Sequence, residues 1–425
     1  MIHQVKPPLA AVAKLKQIVK LQLLLLDHAV EQPVVDAASI ATCLAEAYGT
    51  EAAKVAKWVA HKGTWLAALN QFAAHTDHAA KRNLVAGIRA DIQLLYTPAP
   101  QRLQITIPKD APNWKLGVRE FCLHFFELWR AETKEPGFPS QLFPLDNDAQ
   151  SFTRWDYLDA FRTANDGLYL CAICDTSAYR TTVGNRIFAS IEHFFPKSYY
   201  PHLAIHPYNL VPICPFCNSR AGDKDIMTYC DEALGIAEIL LPYSQAHSGF
   251  TEQAFVEIRP RISSGEIDRE KIHPLHIKFR PAKNYQAERA LYIFNETYGI
   301  EERWNNDLDQ IGEHVFRRIQ QFLLGDVHAG NSLTDHRFLL DKIKMLMALT
   351  ERQDLGKDPY GFATVWLLNY FVDRLEQDQE NALIYLELKQ WAEMQREDWH
   401  TLTDYADQIR TRVPVLKPAT DNEKI

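Results

Sequence analysis

The sequence predicts a mainly helical protein with a small α+β segment near its middle. Apolar residues recur at helical spacing through much of residues 7–96 and again from residue 285 onward. Residues 171–224 differ, because they contain two Cys-x-x-Cys pairs. With 425 residues, the chain is long enough for a sizeable core and for more than one domain.

The predicted elements of the N-terminal half follow from periodicity and punctuation. Residues 10–30 have a helical apolar pattern, and Asp36 begins a second helix. Leu103, Ile105 and Ile107 alternate with polar residues, which predicts a short strand over 102–108. Helical patterns return at 116–132 and at 152–164. Between them, residues 136–148 are rich in turn formers and predict a domain boundary.

The C-terminal half begins with short alternating segments and then becomes helical. Strands are predicted at 236–241, 255–259 and 275–279. Helices are predicted at about 286–298, 301–324, 334–352, 359–377 and 381–396. These patterns suggest a helical N-terminal domain for recognition or partner binding, a central cysteine-containing domain, strands followed by a helical C-terminal domain, and a tail. Their predicted bounds are 1–150, 151–235, 236–410 and 411–425.

Charge is unevenly distributed along the chain, whose net charge is −8. Residues 1–150 carry 16 Lys and Arg against 14 Asp and Glu, and residues 151–230 carry 7 of each. Residues 231–425 hold the remaining 23 basic and 33 acidic residues. Attraction to phosphate should therefore be modest and local, without a broad basic face. No apolar stretch is long enough to span a bilayer, so no membrane association is expected.

Four of the seven cysteines form two close pairs, Cys171/Cys174 and Cys214/Cys217. Four thiolates in two such pairs can complete the tetrahedral shell of a structural Zn²⁺. The absence of a clear signal peptide predicts a cytoplasmic location, where thiols stay reduced and paired cysteines are more often metal ligands than disulfides. The remaining cysteines are isolated and are predicted to be small apolar core residues. They are Cys43, Cys122 and Cys230.

Polar residues of a particular kind lie between and beside the cysteine pairs. Glu192 can bind a divalent cation, and its neighbour His193 can take a proton from water at cellular pH. Adjacent side chains of a strand point to opposite faces, so these two roles predict a kink or bulge here. Asn209 could pin the loop that orients His193, and Asn218 offers a neutral oxygen ligand directly after Cys217.

This segment resembles the HNH endonuclease domain, in its zinc-stapled ββα-metal form. The resemblance covers about 55 residues and rests on Glu-His (192–193), Pro196, Asn-Leu (209–210) and Cys-Pro-Phe-Cys-Asn (214–218). Within the mainly α protein that the periodicity predicts, it implies a small central α+β domain of the zinc-binding ββα-metal type. It also implies the following roles. His193 is the general base, Asn209 a structural residue, Glu192 and Asn218 the ligands of a catalytic Mg²⁺ or Mn²⁺, and Arg220 and Lys224 the nucleic-acid contacts.

The resemblance further implies DNA as the partner, cut to leave 5′-phosphate and 3′-hydroxyl ends. Residues 274–305 are similar to the tail of bacterial HNH proteins of phage defence, which suggests an anti-phage effector. We also expect a partner protein, an ATPase or a sensor, that delivers the DNA. Since one such site cuts one strand, double-strand cleavage requires a homo-oligomer or two successive nicks.

Two other functions fit the same residues. The first is a non-catalytic zinc-ribbon module that binds nucleic acid or protein, and the second is an RNA-cleaving toxin.

Two further histidines, His202 and His206, are predicted to be exposed loop residues. Helical core, and not a cofactor site, is predicted for His124 and for the aromatic residues around it. They are Phe121, Phe125, Phe126 and Trp129.

Overall fold

The computed structural model describes most of the chain. The described residues are 5–130, 138–143, 151–168, 170–176, 180–181, 187–188, 190–243, 254–260, 275–281, 285–329, 335–353 and 359–396. The predicted tail, 411–425, and much of the predicted boundary at 136–148 therefore lie outside them. Within these ranges, each helix is either too short or too polar to cross a lipid bilayer.

The protein is mainly helical, as predicted. The helices, in chain order, are α1 (Leu9–Glu31), α2 (Ala37–Tyr48), α3 (Ala52–His61), α4 (Gly63–Ala73), α5 (His78–Tyr96), α6 (Asn113–Arg130), α7 (Arg154–Ala164), α8 (Pro215–Ala221), α9 (Tyr285–Tyr298), α10 (Ile300–Asn306), α11 (Leu308–His328), α12 (His336–Gln353), α13 (Gly361–Asp378) and α14 (383–396). The strands are β1 (Arg180–Thr181), β2 (Ile187–Phe188), β3 (Ser190–His193), β4 (Leu210–Ile213), β5 (Ala254–Pro260) and β6 (Leu275–Pro281). They pair in sequence order as three two-stranded sheets.

Two compact units divide these elements. The first comprises residues 1–257, 277–304 and 356–359, and the second comprises 258–276, 305–355 and 360–425. The first unit thus contains both the predicted N-terminal domain and the predicted cysteine-containing domain. The assignment of separate roles to those two parts stays a prediction.

The first two helices begin as their sequences predict. One face of α1 is buried along its whole length, from Ala11 to Val30. Asp36 is the N-cap of helix α2. Its carboxylate accepts the Ser39 N–H at 2.8 Å, and its own N–H donates to the Ser39 hydroxyl. This reciprocal cap satisfies two main-chain donors at the start of the helix and fixes its first residue.

Helices α4 and α6 pack closely against each other. A Cβ atom on Gly117 of α6 would lie 2.6 Å from the carbonyl oxygen of Ala68 and 2.9 Å from the nitrogen of Phe72. Only glycine therefore allows the two main chains to approach this closely. Of the residues of α6 that were predicted to be core, His124 is only half-buried, whereas the four aromatic residues are buried, which confirms the prediction for them. They are Phe121, Phe125, Phe126 and Trp129.

The predicted strand over 102–108 is wrong. The N–H groups of Gln104 and Ile105 donate to the carboxylate of Asp91, at 2.7 and 2.9 Å, and the Ile107 N–H donates to the Tyr199 carbonyl at 2.8 Å. A buried side chain of α5 and a distant loop thus take the donors that a partner strand would have used. Alternation is satisfied without a strand, because extended chain also turns successive side chains to opposite sides.

Two further predictions need correction. Residues 236–241 contain a 3₁₀ turn, Ile236–Glu238, in place of a strand. The buried Glu238 carboxylate accepts the Asp231 N–H at 2.6 Å and folds the chain back on itself. The single helix expected over 301–324 is divided at Asp307 into α10 and α11. The predicted strands at 255–259 and 275–279 are confirmed as β5 and β6.

Candidate functional site

A hairpin followed by a short helix places the predicted site residues. Strands β3 and β4 pair antiparallel, with Glu192 opposite Val211 and His193 opposite Leu210. Helix α8 follows directly, with Cys214 as its N-cap and Pro215 as its first residue. Proline suits this position, since it lacks only an N–H that would have no partner within the helix. The local order is therefore strand, strand, helix.

The four paired cysteines meet in one cluster, although 39 residues separate the two pairs. All four are buried, and their sulfur atoms lie within 4.8 Å of one another. The Cys174 and Cys214 sulfurs are 3.6 Å apart. In a tetrahedral zinc site with bonds of about 2.3 Å, neighbouring sulfurs are about 3.8 Å apart. The cluster therefore fits a metal ion such as zinc.

Main-chain groups orient two of these sulfurs. The Cys214 N–H donates to the Cys171 sulfur at 3.3 Å, and the Cys217 N–H donates to the Cys214 sulfur at 3.4 Å. Hydrogen bonds from the other three cysteines hold the pKa of Cys214 far below the usual thiol range. Donors directed at sulfur favour the thiolate form, which is the form that binds metal.

His193 is the last residue of β3 and is buried. Its Nε2 atom lies 2.9 Å from the carbonyl oxygen of Ala204, and its ring meets Phe126 edge to face with 4.3 Å between centroids. A carbonyl oxygen only accepts, so Nε2 carries the hydrogen. In the neutral ring Nδ1 is then the basic nitrogen. Helix α6 thus orients the ring from one side and the loop between β3 and β4 from the other.

Asn209 forms three hydrogen bonds across the loop between the strands. Its amide oxygen accepts the Phe195 N–H at 2.6 Å, and its amide nitrogen donates to the carbonyls of Phe195 and Leu203, both at 3.0 Å. The side chain is fully buried. These bonds join the segment after His193 to the segment before Ala204, which carries the acceptor of the His193 ring.

Glu192 is half-buried on the same strand. Burial, with a smaller contribution from nearby Asp223, raises the pKa of its carboxyl to about 7 against the opposing effects of the His193 N–H and Lys197. The register from Ser190 to His193 is regular, so the bulge predicted here is absent from β3. By strand geometry the two side chains therefore leave opposite faces of the hairpin.

Asn218 lies on α8, which packs against β3, and its side chain is half-buried. The carboxylate of Glu192 and the amide of Asn218 are hard oxygen donors of the kind that Mg²⁺ and Mn²⁺ prefer. Within the described ranges, the cysteine cluster is the one group of three or more His, Cys, Asp or Glu side chains arranged to hold a metal. A second cation there would therefore depend on these two oxygen ligands.

The two basic residues expected to contact nucleic acid both have partners within the protein. Arg220 pairs with Glu302 at 2.9 Å, and the Lys224 ammonium donates to the main-chain carbonyls of Glu296 and Thr297 at 2.7 and 3.2 Å. Lys224 thereby caps the C-terminal end of α9. Contact of these side chains with phosphate stays a prediction, and it requires that they exchange their present partners.

The prediction that His202 and His206 are exposed is wrong. Both are buried between the site and helix α5, where His202 Nε2 lies 3.1 Å from the Asp91 carboxylate. His206 accepts the Tyr208 N–H at 3.2 Å through Nδ1 and packs on Tyr96. Helix α5, far away in sequence, covers the loop that carries both histidines.

Three residues beside the cysteine cluster were missed by the sequence analysis. Arg303 donates to the Cys174 and Cys214 sulfurs, Trp304 donates to the Cys174 carbonyl, and Thr176 lies next to Cys174. Arg303 and Trp304 follow Cys217, the last cysteine of the cluster, by more than 80 residues, and no spacing rule links them to it. The only available signal was the similarity noted for residues 274–305, which carried no role.

Comparison with known proteins adds no family to this description. No protein-family model, no curated protein and no solved structure matches the chain.

Proposed function

We propose that the protein is a metal-dependent HNH endonuclease that hydrolyses phosphodiester bonds of DNA. The main support is the arrangement of His193. Its ring is held by the Ala204 carbonyl on a loop that Asn209 pins, at the end of a hairpin that leads into the cysteine-stapled helix α8. A nuclease base needs this kind of fixed orientation, because the direction of proton transfer depends on it.

In this proposal Nδ1 of His193 takes the proton from the attacking water. The Ala204 carbonyl accepts from Nε2 and stabilises the imidazolium that results. Glu192 and Asn218 would hold the divalent cation, which when bound supplies a positive charge for the phosphate and the leaving 3′ oxygen. Because Glu192 and His193 leave opposite faces of β3, the phosphodiester would have to lie across the end of the strand.

Nicking of supercoiled plasmid with Mg²⁺ or Mn²⁺ tests the proposal. We expect His193→Ala to reduce the nicking rate by about 100-fold or more, because it removes the base. Its zinc content should stay at the wild-type value, since the cysteine cluster is intact. His61→Ala is the matched control, because His61 is an exposed histidine at the end of α3. Equal nicking by wild type and His193→Ala would reject the assignment of His193 as base.

One observation favours a second function, a non-catalytic zinc module that binds nucleic acid or protein. His193 is only 5% exposed, and Arg220 and Lys224 are occupied within the protein. A module of this kind would hold zinc and bind its partner without cutting. Two results together would support it. The zinc-loaded wild type leaves plasmid and RNA intact with Mg²⁺ and with Mn²⁺, and the wild type and His193→Ala bind the same nucleic-acid or protein partner equally well.

We further propose that the enzyme acts in anti-phage defence and receives its DNA from an ATPase or sensor partner. The neutral charge of residues 151–230 and the partners that Arg220 and Lys224 already have within the chain both argue for weak unaided binding. The purified chain should therefore nick plasmid slowly at physiological salt and faster at low salt. Brisk degradation at physiological salt would count against a delivery partner, and preferential cutting of RNA would favour the toxin.

A further inference from the structure

The cysteine cluster has a neighbour that its ligands alone do not explain. One guanidinium nitrogen of Arg303 lies 3.1 Å from the Cys174 sulfur and 3.7 Å from the Cys214 sulfur, and the other lies 3.1 Å from the Thr176 hydroxyl. The guanidinium also covers the ring of Phe216 at 4.2 Å. Arg303 thus contacts one cysteine of each pair and also Phe216, which lies between Cys214 and Cys217.

The next residue, Trp304, adds a hydrogen bond to the first cysteine pair, Cys171/Cys174. The indole N–H of Trp304 donates to the main-chain carbonyl of Cys174 at 3.1 Å, and the indole is fully buried. Two adjacent side chains of one helical turn therefore contact the ligand Cys174, one at its sulfur and one at its main chain. Exposed surface contacts rarely have this convergence, because each immobilised side chain loses rotamer freedom.

Charge explains why an arginine is suitable here. A zinc ion with four thiolates carries a net charge of −2, and buried charge is costly unless it is paired and hydrogen-bonded. A guanidinium that donates to two of the sulfurs offsets one of those charges. Attraction to the Cys174 and Cys214 sulfurs also raises the pKa of Arg303 above its ordinary value, although burial lowers it. Without metal, protonated thiols would leave the arginine partly buried beside weak acceptors.

We infer that Arg303 is a charge partner of the metal-bound thiolates and that Trp304 anchors it, so that metal loading and docking of residues 300–304 stabilise each other. The coupling is reciprocal by thermodynamic linkage, since whatever strengthens docking also strengthens metal retention. This inference does not depend on nuclease activity, because it concerns the ligand shell and a downstream helix. It gives residues 300–304 a role in a metal site that lies far upstream.

Zinc release from the full-length protein to a colorimetric chelator tests the inference. We expect Arg303→Gln to release zinc about tenfold faster or more, as is typical when a partner of a metal ligand is removed. Arg303→Lys keeps the charge but lacks the planar set of guanidinium donors, so its zinc-release rate should fall between those of Arg303→Gln and the wild type. Arg220→Gln is the matched control, because it unties the same helix from α8 at Glu302 without touching a sulfur. Wild-type release by Arg303→Gln, or equal acceleration by Arg220→Gln, would overturn it.

Two readouts separate a charge partner from a merely structural residue. In the cobalt-substituted protein, loss of the donor in Arg303→Gln should shift the thiolate-to-cobalt charge-transfer band to longer wavelength, and an unshifted band would contradict the inference. In the wild type, removal of the metal should speed amide hydrogen exchange in residues 300–304. Unchanged exchange there would overturn the coupling even if the Arg303 variants failed to fold.

Discussion

His206 shows how burial can set the protonation state of a single side chain. Burial, with smaller contributions from the neighbouring His202 and Lys16, lowers the pKa of its imidazole to about 3 against the opposing effect of the Ile92 main chain. In the unfolded chain the same group titrates near pH 6.5. Between these values the unfolded state binds the proton and the folded state does not. Stability from this residue is therefore complete above pH 6.5 and declines as the pH falls toward 3.

We expect His206→Asn to reduce that decline. Below pH 6 the wild type should lose about 1.4 kcal/mol of unfolding free energy per pH unit more than the variant. Chemical denaturation of both proteins from pH 7 to pH 5 measures the difference. Acid effects on the carboxylates and the cysteine cluster are common to both proteins and cancel. Parallel pH dependences would mean that His206 is protonated in the folded protein.

Asn209 makes a second prediction about a single side chain. Asn209→Ala would leave the Phe195 N–H and two carbonyls buried without their partner, so we expect a loss of about 2 to 4 kcal/mol of stability. Asn209→Asp is the informative companion, because it can accept from Phe195 but cannot donate to either carbonyl. Denaturation should show both variants destabilised, with zinc content unchanged. If Asn209→Asp leaves the free energy of unfolding unchanged, the two donated bonds contribute little to stability.

Among the secondary-structure elements, the α4–α6 contact depends on glycine. Gly117→Ala should destabilise the protein by about 1 to 3 kcal/mol, because the new methyl would overlap main-chain atoms of Ala68 and Phe72, which cannot move independently. Gly312→Ala is the matched control in α11, where an added Cβ meets nothing within 4 Å. It should stabilise by up to about 1 kcal/mol through helix propensity. Melting temperatures with opposite shifts would establish the contact, whereas equal shifts would not.

Element prediction from sequence worked where one periodicity dominated. Helix α1, the capped start of α2 and strands β5 and β6 follow from local pattern. The expected strand over 102–108 failed because Asp91, on another helix, takes its donors. Alternation records which side chains are buried, but it does not record what the main chain bonds to.

At the scale of the whole molecule, metal removal should affect the two compact units differently. The cysteine cluster lies in the first unit, so a strong zinc chelator should lower the melting temperature of that unit by about 10 °C or more. The transition of the second unit should stay in place. Calorimetry with and without chelator measures this, and added zinc should restore the first transition. A thermogram that the chelator leaves unchanged would show that the cluster does not contribute metal-binding energy to the fold.

The sequence by itself determined the chemistry that is available. It identified the two cysteine pairs, the Glu192, His193, Asn209 and Asn218 set, and the helical class, because these depend on residue type and short-range spacing. Only the tertiary structure decided what surrounds them. It buries His193 between Phe126 and Ala204, pairs Arg220 with Glu302 and Lys224 with main-chain carbonyls of α9, and brings Arg303 onto the sulfurs. Those contacts join residues up to 129 positions apart, and packing between distant segments leaves no periodic trace in the chain.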